Sequence, residues 1–169
     1  MTAESAAPTP SAPTRRPQRI NRRSARELAV QGLYEWLLTG QSAAAIQQHV
    51  MGWTEEAPAA KVDTVHLDAL ISGCIAEAAV LDEHIARHID RGVKELSPVE
   101  HAILLIGAYE MAHCIDIPVK VVINEAVELA KAFGGTDGHK YVNGVLDKIA
   151  GTLRAVEVAH LRGARPARD

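Results

Sequence analysis

Apolar residues recur at spacings of three and four along most of this 169-residue chain. The longest such stretch, residues 63–91, has its apolar positions at Leu67, Leu70, Ile71, Cys74, Ile75, Ala78, Leu81, Ile85 and Ile89. This spacing places apolar side chains on one face of a helix. No segment shows the apolar-polar alternation of a strand. The pattern therefore predicts an all-α fold, with residues 63–91 forming one long helix or two in tandem.

The composition agrees with a helical core. Apolar residues make up 47% of the chain and aromatic residues only 4%, so the core must consist of Ala, Leu, Ile and Val, which at these spacings favour packed helices. No run reaches the ~18 apolar residues of a membrane span, and the N-terminus has no secretory signal. Cys74 and Cys114 lie in apolar helical patterns without CxxC spacing. We expect reduced thiols in a cytoplasmic protein that has no membrane span.

Capping and breaking residues indicate where helices begin and end. Gly40 ends a first helix that starts near Ser24. Ser97 is a capping serine, followed by Pro98 at the first helical position and by Glu100 three residues after the cap, which is a strong helix start. Further along, Asp116-Ile117-Pro118 and Gly134-Gly135 separate the remaining helices. About seven helices are expected.

Charge is distributed unevenly along the chain. Residues 1–26 hold six arginines and one glutamate, a net charge of +5, whereas residues 27–169 hold 12 Lys and Arg against 20 Asp and Glu, a net charge of −8. Residues 1–19 are rich in Pro and Arg and are expected to be disordered. A basic arm on an acidic body is typical of a protein that binds nucleic-acid phosphates with one edge. A solubilising tail without a ligand is the alternative.

The first helix carries a candidate RNA-binding stripe. Counting 100° per residue puts Arg23, Arg26, Val30 and Tyr34 on one side. Guanidinium groups bind phosphate and an exposed tyrosine can stack on a base, which are the two components of single-stranded RNA recognition. A solvated charged stripe with a boundary tyrosine is the alternative.

No motif for catalysis or for a cofactor stands out. His84 and His88 are four residues apart on a predicted helix, but no third metal ligand and no HExxH glutamate accompany them. Phosphate-binding glycine loops and a nucleophile elbow are also missing from the sequence. We therefore predict no catalytic residue, no metal and no cofactor.

Two segments carry a family resemblance. Residues 22–36 (RRSARELAVQGLYEW) resemble the first helix of the NusB transcription antitermination factors. Residues 122–131 (VINEAVELAK), followed by Phe133-Gly134 and residues 139–148 (HKYVNGVLDK), resemble that family's signature even more closely. The resemblance covers about residues 20–155, although residues 40–95 are similar in helical pattern more than in letters.

The resemblance implies two packed helical bundles. Residues 20–95 would form an N-terminal subdomain with an RNA-binding first helix, residues 96–156 a C-terminal subdomain, and residues 157–169 a basic tail. Family members bind the single-stranded boxA element of ribosomal RNA leader transcripts jointly with NusE, a ribosomal small-subunit protein. They help to assemble an antitermination complex on RNA polymerase and catalyse no reaction.

Site residues follow from the resemblance by position. Arginines would hold phosphates, two tyrosines would give aromatic contacts, and an aspartate and a lysine would lie beside the RNA; these residues are Arg22, Arg23, Arg26, Tyr34, Tyr141, Asp137 and Lys140. Glu100 corresponds to a position in the contact region for NusE. Three positions depart from the family: Ser24 replaces a frequent basic residue, Tyr141 a frequent phenylalanine, and Gly138 a frequent serine.

Two other functions are compatible with the same helical pattern. The module resembles the N-terminal domain of a ribosomal RNA cytosine methyltransferase, but that enzyme needs a catalytic domain downstream and this chain ends at Asp169. The second alternative is a protein-interaction module whose basic arm is incidental. A homodimer of the free protein also remains open, since a helical surface that meets NusE can pair with itself.

Overall fold

The structure, a computed structural model, describes residues 21–56, 61–135 and 137–163. Within these residues it contains a short 3-10 turn at Val93–Glu95 and eight α-helices: α1 (Arg22–Thr39), α2 (Ala43–Glu56), α3 (Thr64–Ala76), α4 (Ala78–Ala86), α5 (Pro98–His113), α6 (Val119–Phe133), α7 (Gly138–Leu153) and α8 (Ala155–Gly163). No strand occurs in the described part apart from one isolated bridge between Asn21 and Val62. The all-α prediction is confirmed. The N-terminal arm predicted for residues 1–19 lies outside the described residues.

The long apolar stretch forms two helices. α3 and α4 meet at Glu77 with a bend of 75°. Their apolar faces are buried, with Leu70, Ile71 and Ile85 almost fully shielded from solvent. In the described residues no single helix is long and apolar enough to cross a membrane, and α3 and α4 would meet the criteria of length and composition only as a bent pair.

The helices pack around α5. α1, α2 and α3 contact one another, α6 and α7 contact one another, and α5 contacts α1, α3, α4, α6 and α7. The buried apolar side chains consequently form one continuous core. The predicted division between residues 20–95 and 96–156 stays a prediction, since α4 packs on α5 and α7 as well as on α3.

Glycine permits the closest of these contacts. A β-carbon on Gly73 of α3 would overlap the Tyr109 ring of α5, so a larger residue would push the two helices apart. Gly40 ends α1 in the left-handed conformation at φ 67°, as the sequence predicts, and its N–H donates to the Trp36 carbonyl.

The chain continues as a helix where the sequence suggests a basic tail. α8 covers Ala155–Gly163 and is anchored by Arg154, which is 7% exposed. The Arg154 guanidinium donates to the carbonyl oxygens of Met111, Cys114 and Ile117, so it caps the end of α5. Glu157 accepts from Arg154 at 2.6 Å and from the Val119 N–H at 2.8 Å. These bonds fix the first turn of α8 against the start of α6.

A buried ion pair joins α1 to α5. Arg26 is 4% exposed and donates from Nε and Nη2 to the Glu110 carboxylate at 2.9 Å. His66 of α3 contacts the same carboxylate through Nε2 at 3.0 Å. Burial alone would raise the pKa of Glu110, but the hydrogen bonds from His66 and Arg26 and the charge on Arg26 outweigh it and hold that pKa below its usual value. Glu110 is thus an ionised carboxylate that ties three helices together.

We predict that Arg26→Met destabilises the fold strongly, because it leaves the Glu110 carboxylate buried without its cation. Loss of one partner of a buried ion pair costs about 3–5 kcal/mol. Urea denaturation followed by circular dichroism measures the free energy of unfolding. The matched control is Arg23→Met on the same helix, whose ion pair is exposed to solvent and whose loss should leave that free energy nearly unchanged. Equal stability of the two variants would contradict a structural role for Arg26.

Candidate nucleic-acid interface

Arg23 lies exposed at the start of α1 and is held by Glu125 of α6. Its Nε and Nη2 donate to the two carboxylate oxygens at 3.1 and 3.0 Å. The side chain of Arg23 is 59% exposed and that of Glu125 only 19%. A guanidinium has five N–H donors, so the Nη1 end of Arg23 is not used by Glu125 and can receive a phosphate. Glu125 raises the pKa of Arg23 by this hydrogen bond and by its charge.

Arg22 is held by two other carboxylates. Its guanidinium lies 3.4 Å from Asp116 in the loop before α6 and 3.6 Å from Asp63 at the start of α3. Asp63 also caps α3, since its carboxylate accepts from the His66 N–H at 2.9 Å. The predicted phosphate ligands Arg22 and Arg23 therefore lie side by side at one end of α1, both oriented by acids from other helices.

Arg26 does not belong to this exposed group. The predicted stripe of α1 splits in the structure, because Arg26 and Val30 are buried while Arg23 and Tyr34 are exposed. Among the residues that the structure describes, the Arg26 side chain hydrogen-bonds only to Glu110 in the core. A phosphate could reach it only if the ion pair opened. We therefore assign Arg26 a structural role, which corrects its placement among the RNA ligands.

Tyr34 is 40% exposed and lies at the other end of α1. Eleven residues separate it from Arg23, a rise of about 16 Å along the helix. Its ring borders an apolar cavity of about 370 Å³ between α1, α2, α5 and α6, whose lining includes Trp53, Val99 and Phe133. Arg23 and Tyr34 are thus both exposed but lie about three helical turns apart.

Glu100, Tyr141 and Arg91 meet where α5 and α7 begin. Glu100 lies against Gly138, where a β-carbon would be 3.1 Å from Glu100 Oε1. A serine at position 138 would therefore press on Glu100. Arg91 stacks over the Tyr141 ring with its guanidinium carbon 4.9 Å from the ring centre. Burial raises the pKa of the Tyr141 phenol, so its hydroxyl stays protonated at neutral pH.

Asp137 and Lys140 lie beside this cluster on the first turn of α7. The Lys140 ammonium is 3.7 Å from an Asp137 carboxylate oxygen, and both side chains are largely exposed. Asp137 occupies the capping position of α7, but its side chain makes no capping hydrogen bond. It is therefore an exposed negative charge next to predicted RNA ligands and not a structural cap.

The structure thus brings most predicted residues to two places. Arg22 and Arg23 form one group, and Glu100, Asp137, Lys140 and Tyr141 form the other, with Tyr34 on the cavity beside Val99. Sequence reasoning missed Glu125 and Arg91, which orient Arg23 and cover Tyr141. Both are marked only by contacts with residues far away in the chain, Glu125 with Arg23 and Arg91 with Tyr141, and a single sequence does not show such contacts.

No metal site accompanies these groups in the part of the chain that the structure describes. There, no three His, Cys, Asp or Glu side chains lie close enough together to hold an ion. His84 and His88 are therefore without a third ligand in this region. Cys74 and Cys114 are both free thiols, and burial raises the pKa of Cys74 well above its usual value.

Comparisons with known proteins agree with the family resemblance. The model of the NusB family matches residues 23–151. The chain belongs to the NusB family. It is 53% identical over 165 residues to the transcription antitermination protein NusB of Ralstonia nicotianae, covering 96% of this chain and 100% of that protein. It is 55% identical over 146 residues to the protein of that name from Ralstonia pickettii, covering 86% and 92% of the two chains.

Solved NusB structures share the fold. T. maritima NusB superimposes with a TM-score of 0.71 at 25% identity and covers 84% of this chain and 99% of its own. A structure of antitermination factors NusB and NusE in complex with double-stranded RNA gives a TM-score of 0.67 at 26% identity, with 76% and 94% of the chains covered. The NusB family match ends within α7, so α8 and the N-terminal arm lie outside it.

We predict that Asp137→Asn tightens RNA binding without changing stability. The substitution removes a negative charge beside the predicted RNA ligands and releases Lys140, and no capping hydrogen bond is lost. Fluorescence anisotropy with a labelled boxA-like strand measures the affinity, and thermal melting serves as the control. Binding that is tenfold weaker at an unaltered melting temperature would show instead that Asp137 accepts a hydrogen bond from the RNA.

Proposed function

We propose that this NusB-family protein is a cytoplasmic RNA-binding antitermination factor. It binds single-stranded boxA RNA of ribosomal RNA leader transcripts together with NusE and joins the antitermination complex on RNA polymerase. It catalyses no reaction and needs no cofactor. The observation that carries this proposal is the pair Arg22 and Arg23, which present oriented cations at the point where the basic arm enters an acidic body. The likeness to a NusB and NusE complex with RNA supports it.

The geometry fits a strand that crosses the protein from α1 to α7. Arg22 and Arg23 would bind backbone phosphates through the donors that their carboxylate partners leave free. Tyr34 would offer its exposed ring to a base, and Tyr141 would offer an edge of the ring that Arg91 covers on one face. The excess of acids over bases in residues 27–169 would disfavour RNA elsewhere on the body.

NusE would bind beside the RNA and increase the affinity of the protein for RNA. Glu100, the predicted NusE contact, lies against Gly138 and close to Tyr141. A partner seated on Glu100 would therefore adjoin the second group of RNA ligands. Because the exposed cations are few, the protein alone should bind RNA weakly and with strong salt dependence. A homodimer of the free protein would cover the same surface and stays a prediction.

We predict reciprocal coupling between NusE and RNA. Any gain in RNA affinity caused by NusE must equal the gain in NusE affinity caused by RNA, because both describe one coupling free energy. Titrations of each ligand with and without the other, using boxA-like and scrambled strands, measure both gains. A protein-interaction module would bind NusE and ignore RNA. Equal RNA dissociation constants with and without saturating NusE would contradict the proposal.

We predict different signatures for Arg23→Gln and Tyr34→Ala. Loss of the Arg23 phosphate contact should flatten the plot of log affinity against log salt by about 0.7 and weaken all single strands alike. Loss of the Tyr34 ring should leave that slope unchanged and cost about 1–3 kcal/mol of binding energy. Thermal melting is the control, since Tyr34 borders the apolar cavity. Parental RNA binding by Tyr34→Ala with a lower melting temperature would make Tyr34 a packing residue.

A further inference from the structure

A basic cleft lies next to the predicted RNA ligands of α7. It has a volume of about 520 Å³ and separates the turn after α4 from the outer face of α7. Its lining includes Arg87, His88 and Asp90 on one side and Lys140, Tyr141 and Lys148 on the other. Lys140 and Lys148 are eight residues apart, so they lie on the same face of α7 about 12 Å from each other.

The cleft is basic, whereas the body around it is acidic. Four of the 12 Lys and Arg in residues 27–169 lie in it or at its edge: Arg87, Arg91, Lys140 and Lys148. Its acid, Asp90, accepts a hydrogen bond from Arg91 at 3.1 Å. The pKa of Asp90 lies below its usual value, mainly because of that bond, and the charge of Lys148 across the cleft adds to the effect. Arg87 and Lys148 form no salt bridge within the described residues.

One residue of the cleft lining, Tyr141, has an unsatisfied hydroxyl. The Tyr141 Oη is buried and has no hydrogen-bond partner in the described part of the chain. A buried hydroxyl without a partner is destabilising, and a ligand oxygen could accept from it if the Tyr141 side chain shifted toward the cleft. Two cations that form no salt bridge in the described residues, Arg87 and Lys148, thus line the same cleft as a residue with an unused donor.

We propose that this cleft binds backbone phosphates of the RNA strand, so that the strand continues across α7 from Tyr141 toward Lys148. The inference rests on the proposed RNA-binding function. Arg87 and Lys148 are the phosphate ligands, and both lie outside the residues that the family resemblance implies. Lys140 and Lys148 are about 12 Å apart along α7, and Arg87 lies on the opposite wall, which suits successive phosphates of a chain better than one small anion.

The test compares two double variants of equal charge. Arg87→Gln with Lys148→Gln removes two cations from the cleft. The matched control, Lys120→Gln with Arg162→Gln, removes two cations from a separate cleft between α6, α7 and α8. Affinity for a boxA-like strand is measured against salt. Two lost contacts should lower the slope of log affinity against log salt by about 1.4. If the cleft variant and the parent bind equally at 1 M salt, the variant should then bind roughly 25-fold more weakly than the parent at 0.1 M salt. The control should match the parent.

Each other outcome overturns the inference in a distinguishable way. If the parent binds RNA and the cleft variant has the same slope as the parent, RNA does not enter the cleft, and the proposed function still stands. If both double variants lose RNA affinity equally, the loss comes from the lower net charge alone, and RNA does not bind specifically in the cleft. If inorganic phosphate saturably shifts the Gly144 amide signal while RNA leaves it unchanged, the cleft is a small-anion site only. A parent that binds no RNA overturns the proposed function together with the cleft.

Discussion

The ion pair between Arg26 and Glu110 sets the position of the proposed RNA site. It is buried, it joins α1 to α5, and His66 brings α3 to the same carboxylate. A helix whose arginine must point at a buried acid cannot rotate about its axis without breaking that bond. Arg22 and Arg23 lie on the same side of α1 one turn earlier, but they are its first two residues, so Asp116 and Glu125 meet them at the surface and leave them exposed. The core interaction therefore determines which arginines RNA can reach.

Sequence periodicity predicts where the helices lie, but it does not predict that the Arg26 side chain faces the core. Gly40 and the Ser97 cap act locally, so their signals are complete within a few residues and the structure contains both. Arg26 lies only 60° around the helix from Arg23, and a stripe of that width includes both exposed and buried positions. What turns Arg26 inward is Glu110, which is 84 residues away in the chain. Only the folded structure reveals that partner.

The same distinction explains the other differences between sequence and structure. The helical pattern extends through Glu77 with no proline or glycine within three residues of it, so the 75° bend between α3 and α4 leaves no mark in the sequence next to the bend. α8 lacks an apolar stripe with buried residues and is held by Arg154 and Glu157 through bonds to α5 and α6. At the site, the resemblance identified Tyr34, Glu100 and Tyr141, but their spatial grouping depends on how α1, α5 and α7 meet.

The two basic regions present their cations in different ways. At the start of α1 each arginine is already held by a carboxylate, so little side-chain entropy is lost when a phosphate arrives, although the acid also repels that phosphate. In the cleft, Arg87 and Lys148 form no salt bridge in the described residues, and the acid of the lining, Asp90, is paired with Arg91, so the two cations attract phosphate but must be ordered on binding. Orientation at α1 favours a defined register of the strand, whereas the unpaired cations of the cleft add affinity that depends on salt. A strand that spans both regions would therefore be positioned by α1 and retained by α7.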